Sequence, residues 1–157
     1  MGSSLQSSSS STNNFFYEVS EPQISYRKSN KDTLITNCEI IRVKMKGSQF
    51  LPFIEHQGLI YTNDSSDVIL VCQFPPICLI QESNMFDAID SIIKKASSRF
   101  NDEDFIRESY KLKAPIKVEK LGLIARTFNA KTYNIAFNNC QTFASYMINN
   151  TPLKNYR

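Results

Sequence analysis

Apolar and polar positions begin to alternate near Thr36. From Thr36 to Lys46, Cys38, Ile40, Arg42, Lys44 and Lys46 share one parity and Glu39, Ile41, Val43 and Met45 the other, which predicts a strand ended by Gly47-Ser48. Phe53 to Thr62 predicts a second strand, Asn63-Asp64-Ser65-Ser66 a turn, and Val68 to Phe74 a third strand. The near-continuous apolar run of that third strand implies burial on both faces, and Pro75-Pro76 stops it. The two strands flanking the turn should form an antiparallel hairpin.

Helical spacing follows. Phe86, Ile89, Ile92, Ile93, Ala96 and Phe100 fall on one face, with Ser83 or Asn84 as cap. Residues 101–113 are highly charged and read as a surface segment or a short exposed helix, and Pro115 reads as a first-turn proline. Leu121, Ile124, Ala125 and Phe128 predict a second amphipathic helix, and Thr132 to Phe137 a short extended segment. A third helix starts near Asn139 or Cys140 and runs to about Asn149, with Phe143, Ala144, Met147 and Ile148 inward and Pro152 beyond its end. Residues 1–14, mostly Ser, Asn and Thr, cannot bury apolar surface and read as a disordered tail; residues 15–35 read as a lead-in that adds at most an edge strand. These elements describe an α+β domain over residues 36–152, a small antiparallel sheet with packed helices.

Composition narrows the chemistry. A chain of 157 residues suits one domain with its own core. A net charge of +3 is too mild to argue for nucleic acid, and the basic stretch Arg42, Lys44, Lys46 is most simply a solvated face. The four cysteines, Cys38, Cys72, Cys78 and Cys140, show no CxxC spacing, and the chain has one histidine, so neither a zinc site nor a disulfide scaffold is expected. Four thiols fit a reducing compartment, and a cytoplasmic location is expected. No run reaches the length of a membrane span, and Gln6 stands where a myristoylation motif wants Ser or Thr, although Gly2 is present.

Two residues stand out. Cys140 falls in the first turn of the last helix, where unpaired backbone N–H groups and the helix dipole favour a thiolate and, later, an oxyanion. His56 is the only normal candidate for a base near neutral pH, and it sits on a strand, which places a side chain rigidly. Taken alone, a buried packing cysteine and an idle histidine are the plainer readings.

Together they resemble a family. Tyr133-Asn134-Ile135-Ala136-Phe137-Asn138-Asn139-Cys140-Gln141-Thr142-Phe143-Ala144 resembles the NC box of the lecithin:retinol acyltransferase-like proteins, and His56-Gln57-Gly58-Leu59-Ile60-Tyr61 their H box. The two boxes lie 84 positions apart, histidine strand first and cysteine helix last, as in the circularly permuted papain-like arrangement of the NlpC-type superfamily. The likeness spans roughly residues 36–150. It implies an acyltransferase or hydrolase acting on a lipid ester or amide through an acyl-cysteine on Cys140, with His56 as base and no metal or organic cofactor. Peripheral contact with a membrane is compatible with it; nucleic acid is not expected.

The chain departs from that pattern twice. Many members carry a second histidine twelve residues after the first, where Val68 stands here, so Gln73 on the next strand becomes the candidate that orients His56. Gln141-Thr142 replaces a frequent Glu-His. The isopeptidases of the PPPDE type, with a similar box around their cysteine, are one alternative; a non-catalytic papain-like binding module is another.

Overall fold

The computed structural model describes residues 16–44, 55–97, 105–129, 132–134 and 139–156. Eight strands and three α-helices run in the order β1 (Phe16–Glu18), β2 (Gln23–Ser25), β3 (Leu34–Lys44), β4 (Glu55–Thr62), β5 (Ile69–Gln73), β6 (Cys78–Glu82), α1 (Met85–Ser97), β7 (Phe105–Lys117), α2 (Val118–Arg126), β8 (Thr132–Asn134) and α3 (Cys140–Asn150). The expected tail (1–14), the ends of the first two expected strands, Phe100 and residues 135–138 lie outside the described residues.

Six strands form one sheet in the order β2-β6-β5-β4-β3-β7, and β1 and β8 pair separately. The fold is α+β, but the sheet is mixed: β2 runs parallel to β6, and the other neighbours are antiparallel. The β4–β5 hairpin turns at Asn63–Ser66, where Asn63 Oδ1 accepts from Val68 N at 3.0 Å and Asn63 Nδ2 donates to Asp67 at 2.6 Å. Asn side chains close turns in this way.

Three segments differ from the sequence expectation. Cys78–Glu82, given no element from the sequence, is strand β6. Of residues 101–113, the described part, 105–113, is a surface segment but a strand, most of β7, rather than a short helix, and Pro115 lies within that strand, three residues before α2. The cause is position: β7 is the edge of the sheet, and its inward row carries Glu108 and Tyr110, both half-buried, before the buried Leu112, so a charged residue interrupts the apolar alternation that marks a half-buried strand. Pro115 falls where the β3–β7 register shifts, a place that tolerates a missing N–H. Finally, Phe86 is 76% exposed rather than inward. The inner row of α1 is Ala88, Ile92 and Ala96, at four-residue spacing, and its alanines let the helix lie close to the sheet.

The sheet has a core on each face. One is larger and joins Cys38, Ile40, Leu59, Tyr61, Leu70, Cys72 and Leu79 to α2 (Val118, Leu121, Ala125) and α3 (Phe143, Ala144, Met147, Ile148). The other joins Ile41, Val43, Ile60, Ile69 and Val71 to α1. Phe143 fixes α3 by edge and tilted contacts with Phe128 and Phe74, at ring-centroid distances of 5.1 and 5.8 Å. Among the described residues, no helix is long and apolar enough to cross a membrane.

Candidate functional site

Helix α3 begins with a complete capping box. Asn139 Oδ1 accepts from the backbone N–H of Gln141 (3.0 Å) and Thr142 (2.9 Å), while Thr142 Oγ1 accepts from Asn139 N (3.0 Å). Cys140 is thereby held in the first turn, 7% exposed, and its thiol donates to the carbonyl of Glu55 at 3.3 Å. The side-chain amide of Gln141 donates to the same carbonyl at 3.2 Å. All four residues from Asn139 to Thr142 thus help dock the helix start or fix it to β4. The Cys140 thiol pKa is raised, chiefly by burial; the backbone N–H groups of Gln57, Cys140 and Gln141 pull against this without reversing it, and the carboxylate of Glu55 adds a smaller upward push.

His56 and Gln73 are brought together on the neighbouring strands. His56 Nε2 lies 2.8 Å from Gln73 Oε1, with both residues buried. An amide oxygen only accepts, so Nε2 carries the proton and Nδ1 keeps a free lone pair in that tautomer. The β4–β5 pairing ends at Leu59↔Cys72, and one more step sets Gln73 beside Gly58 rather than beside His56; the long amide side chain spans the diagonal. Burial, the largest cause, lowers the His56 pKa to about 4; the Gln73 hydrogen bond opposes this, and the positive charge of Lys95 on α1 adds to it.

Cys140 and His56 meet strand β4 differently, the thiol at its backbone and the imidazole in its row of side chains. Successive side chains of a strand point to opposite faces. His56 pairs with Val43, and Val43 and Ile60 belong to the core under α1. A Cβ on Gly58, which shares their face, would lie 2.7 Å from Ile92 of α1. Leu59 and Tyr61, of opposite parity, pack under α3. The imidazole therefore lies with Gln73, Cys78 and Lys95 on the α1 side, while the thiol lies against the backbone of Glu55 and Gln57, on either side of His56, along the stretch of β4 that β5 does not pair. No hydrogen bond joins the two among the described residues.

No family model, curated protein or solved structure matches this chain.

The other thiols are more deeply set. Cys38 and Cys72 are fully buried, and burial raises both pKa values strongly; burial also raises that of Cys78, which is 6% exposed. Cys72 faces the α3 side, opposite to Gln73, as strand parity predicts. Of the basic stretch, Arg42 is engaged with Glu108 at 2.6 Å, Lys44 is exposed, and Lys46 lies outside the described residues. Among the described residues, no cluster of three or more His, Cys, Asp or Glu side chains is arranged to hold a metal ion. Sequence reasoning missed the backbone of Glu55 and Gln57 and the side chain of Gln141. Backbone partners leave no residue-type signal, but a glutamine in the first turn of a capped helix is a residue long enough to reach an adjacent strand.

Proposed function

We propose that this chain is a thiol-dependent acyltransferase or hydrolase of the circularly permuted papain-like kind, which takes the acyl group of a lipid ester or amide onto Cys140. The observation that carries this reading is the setting of the sulfur, at a capped helix start with three backbone N–H groups that favour its anion. The same kind of donors suits the oxyanion of a tetrahedral intermediate. The thiol proton passes to a base, the thiolate attacks the carbonyl carbon, and a C–S bond forms. The leaving group departs with a proton, and water or a second acceptor then breaks the thioester.

His56 is the base in this reading, with its tautomer set by Gln73. That role needs the imidazole within reach of the thiol, which lies against the backbone on either side of it. The burial of His56 and the lowering of its pKa favour a second reading, a non-catalytic papain-like binding module in which His56–Gln73 is a buried structural pair. The PPPDE-type isopeptidase reading shares the chemistry of the first and differs in taking a protein conjugate.

Alkylation by iodoacetamide at pH 6 and pH 8, with the labelled cysteine located, separates the readings. Cys38 and Cys72 are fully buried, so selectivity alone decides nothing. The enzyme reading expects Cys140 to be labelled at pH 6 and that labelling to collapse in His56→Ala. Labelling that rises only with pH and ignores His56→Ala leaves the binding module. Self-acylation from a phospholipid or activated ester, against cleavage of a folded protein conjugate, then divides the two enzyme readings.

A further inference from the structure

Charge is distributed unevenly over the molecule. Three segments converge where β7 passes into α2. The backbone of Lys154 donates to Lys111 O at 2.7 Å, and that of Lys113 to Pro152 O at 2.8 Å. On the other side, Glu119 N donates to Lys31 O at 2.9 Å and Val118 N to Thr33 O at 3.1 Å. Residues 28–33, 111–120 and 151–156 therefore form one end of the protein.

That end is strongly basic. Its β7 stretch supplies Lys111, Lys113 and Lys117, the start of α2 supplies Lys120, the turn before β3 supplies Lys28 and Lys31, and the C-terminal segment supplies Lys154; all are exposed. Its carboxylates are Asp32, which lies 3.7 Å from Lys117, and Glu119. Seven lysines against two carboxylates make an excess of five positive charges. The whole chain carries +3, so the remainder is net negative by two. Such a dipolar distribution orients a protein toward an anionic partner.

We infer that this end is a docking surface for an anionic lipid bilayer. Two observations favour a bilayer over nucleic acid. Leu34, opposite Lys117 in the β3–β7 pairing, and Leu123, one turn after Lys120 on α2, are each about half exposed, at 49% and 50%. Apolar side chains among lysines gain at the boundary between headgroups and acyl chains but gain nothing against a phosphate backbone. In addition, all seven cations are lysines, which act on phosphate as point charges and lack the planar fork of arginine that reads bases and pairs bidentately. The surface lies at the far end of α3 from Cys140, some ~16 Å of helix away, so docking leaves the thiol uncovered. The inference does not rest on the chemistry proposed for Cys140.

The test is co-sedimentation of the full chain with phosphatidylcholine vesicles, with and without phosphatidylserine, at low and high salt. Binding is expected only with phosphatidylserine and only at low salt. Lys111→Glu/Lys113→Glu/Lys154→Glu should lower it on the order of a hundredfold, given about 1 kcal/mol per basic residue near the surface. Lys44→Glu/Lys94→Glu, on other parts of the surface, should leave it within a few fold. Leu34→Ser/Leu123→Ser should weaken binding while keeping its salt dependence. A circular dichroism melt of each variant confirms that it is folded. Equal binding to phosphatidylcholine alone, no binding to either vesicle, or displacement of the bound protein by an oligonucleotide at matched charge would each overturn the inference, the last in favour of nucleic acid.

Discussion

Strand β4 separates two environments that treat charge differently. On its α3 side, Cys140 meets the carbonyl of Glu55 and a set of backbone N–H groups, so burial works against an anion that its closest donors favour. On its α1 side, His56 meets one neutral partner, Gln73, and a nearby lysine, so burial and the nearby charge both work against a cation. The α3 side is prepared to hold a charge once solvent or substrate offsets burial; the α1 side is built to keep a ring neutral. A thiolate–imidazolium pair needs both groups charged in one place. The environment that keeps His56 neutral is what any catalytic account has to overcome.

The largest expected effect comes from acid, on the α1 side. The His56 pKa is lowered in the folded protein to about 4 from 6.5, so the unfolded chain takes up its proton first as pH falls. The neutral imidazole therefore contributes its full stability above pH 6.5, and this is lost progressively as pH drops toward about 4. The shift corresponds to at most about 3 kcal/mol. Urea unfolding at pH 7.5, 5.5 and 4.5 should show this loss in the wild type and a flatter profile in His56→Gln. Equal slopes in the two proteins would mean that His56 is not held neutral, which would remove the difference between the two sides.

A smaller effect tests how closely α1 sits over the histidine. The Cβ of Gly58→Ala would meet Cδ1, Cγ1 and Cγ2 of Ile92 within 2.8 Å, and Ile92 is fully buried, so the whole side chain must shift. Overpacking of this kind costs about 2 kcal/mol, partly offset by the lower entropy of an unfolded alanine. Thermal melts should show the cost. Restoring stability with Gly58→Ala/Ile92→Val would tie it to that contact.

Much of this was legible in the sequence, for reasons that can be traced. The strands around Asn63–Ser66 and the helix from Cys140 alternate or repeat cleanly because each buries a defined stripe. Edge strand β7 was unreadable because its inward row begins with the charged Glu108 and buries fully only Leu112, and β6 was too short after Pro75-Pro76 to stand out. Phe86 misled because the buried row of α1 is carried by two alanines and one isoleucine. The pairing of His56 with Gln73 followed from strand parity and turn placement. The side of the sheet to which α3 is docked is set by the chain's path between elements, and no local spacing records it.

The smallest effect is also the one that isolates the α3 side. Asn139→Ala removes the acceptor for the N–H groups of Gln141 and Thr142 and should cost about 1 kcal/mol. Asn139→Asp keeps that acceptor, so the melt should stay near wild type, yet it places a carboxylate beside Cys140. A negative neighbour disfavours a thiolate, so Cys140 should alkylate more slowly at pH 8 in Asn139→Asp although the fold is intact. Neither substitution should change the acid-linked loss of stability assigned to His56, whose described partners are Gln73 and Lys95. Should Asn139→Asp make that loss smaller, its carboxylate would be stabilising the imidazolium and raising the folded pKa toward 6.5, which would place the start of α3 within electrostatic reach of His56.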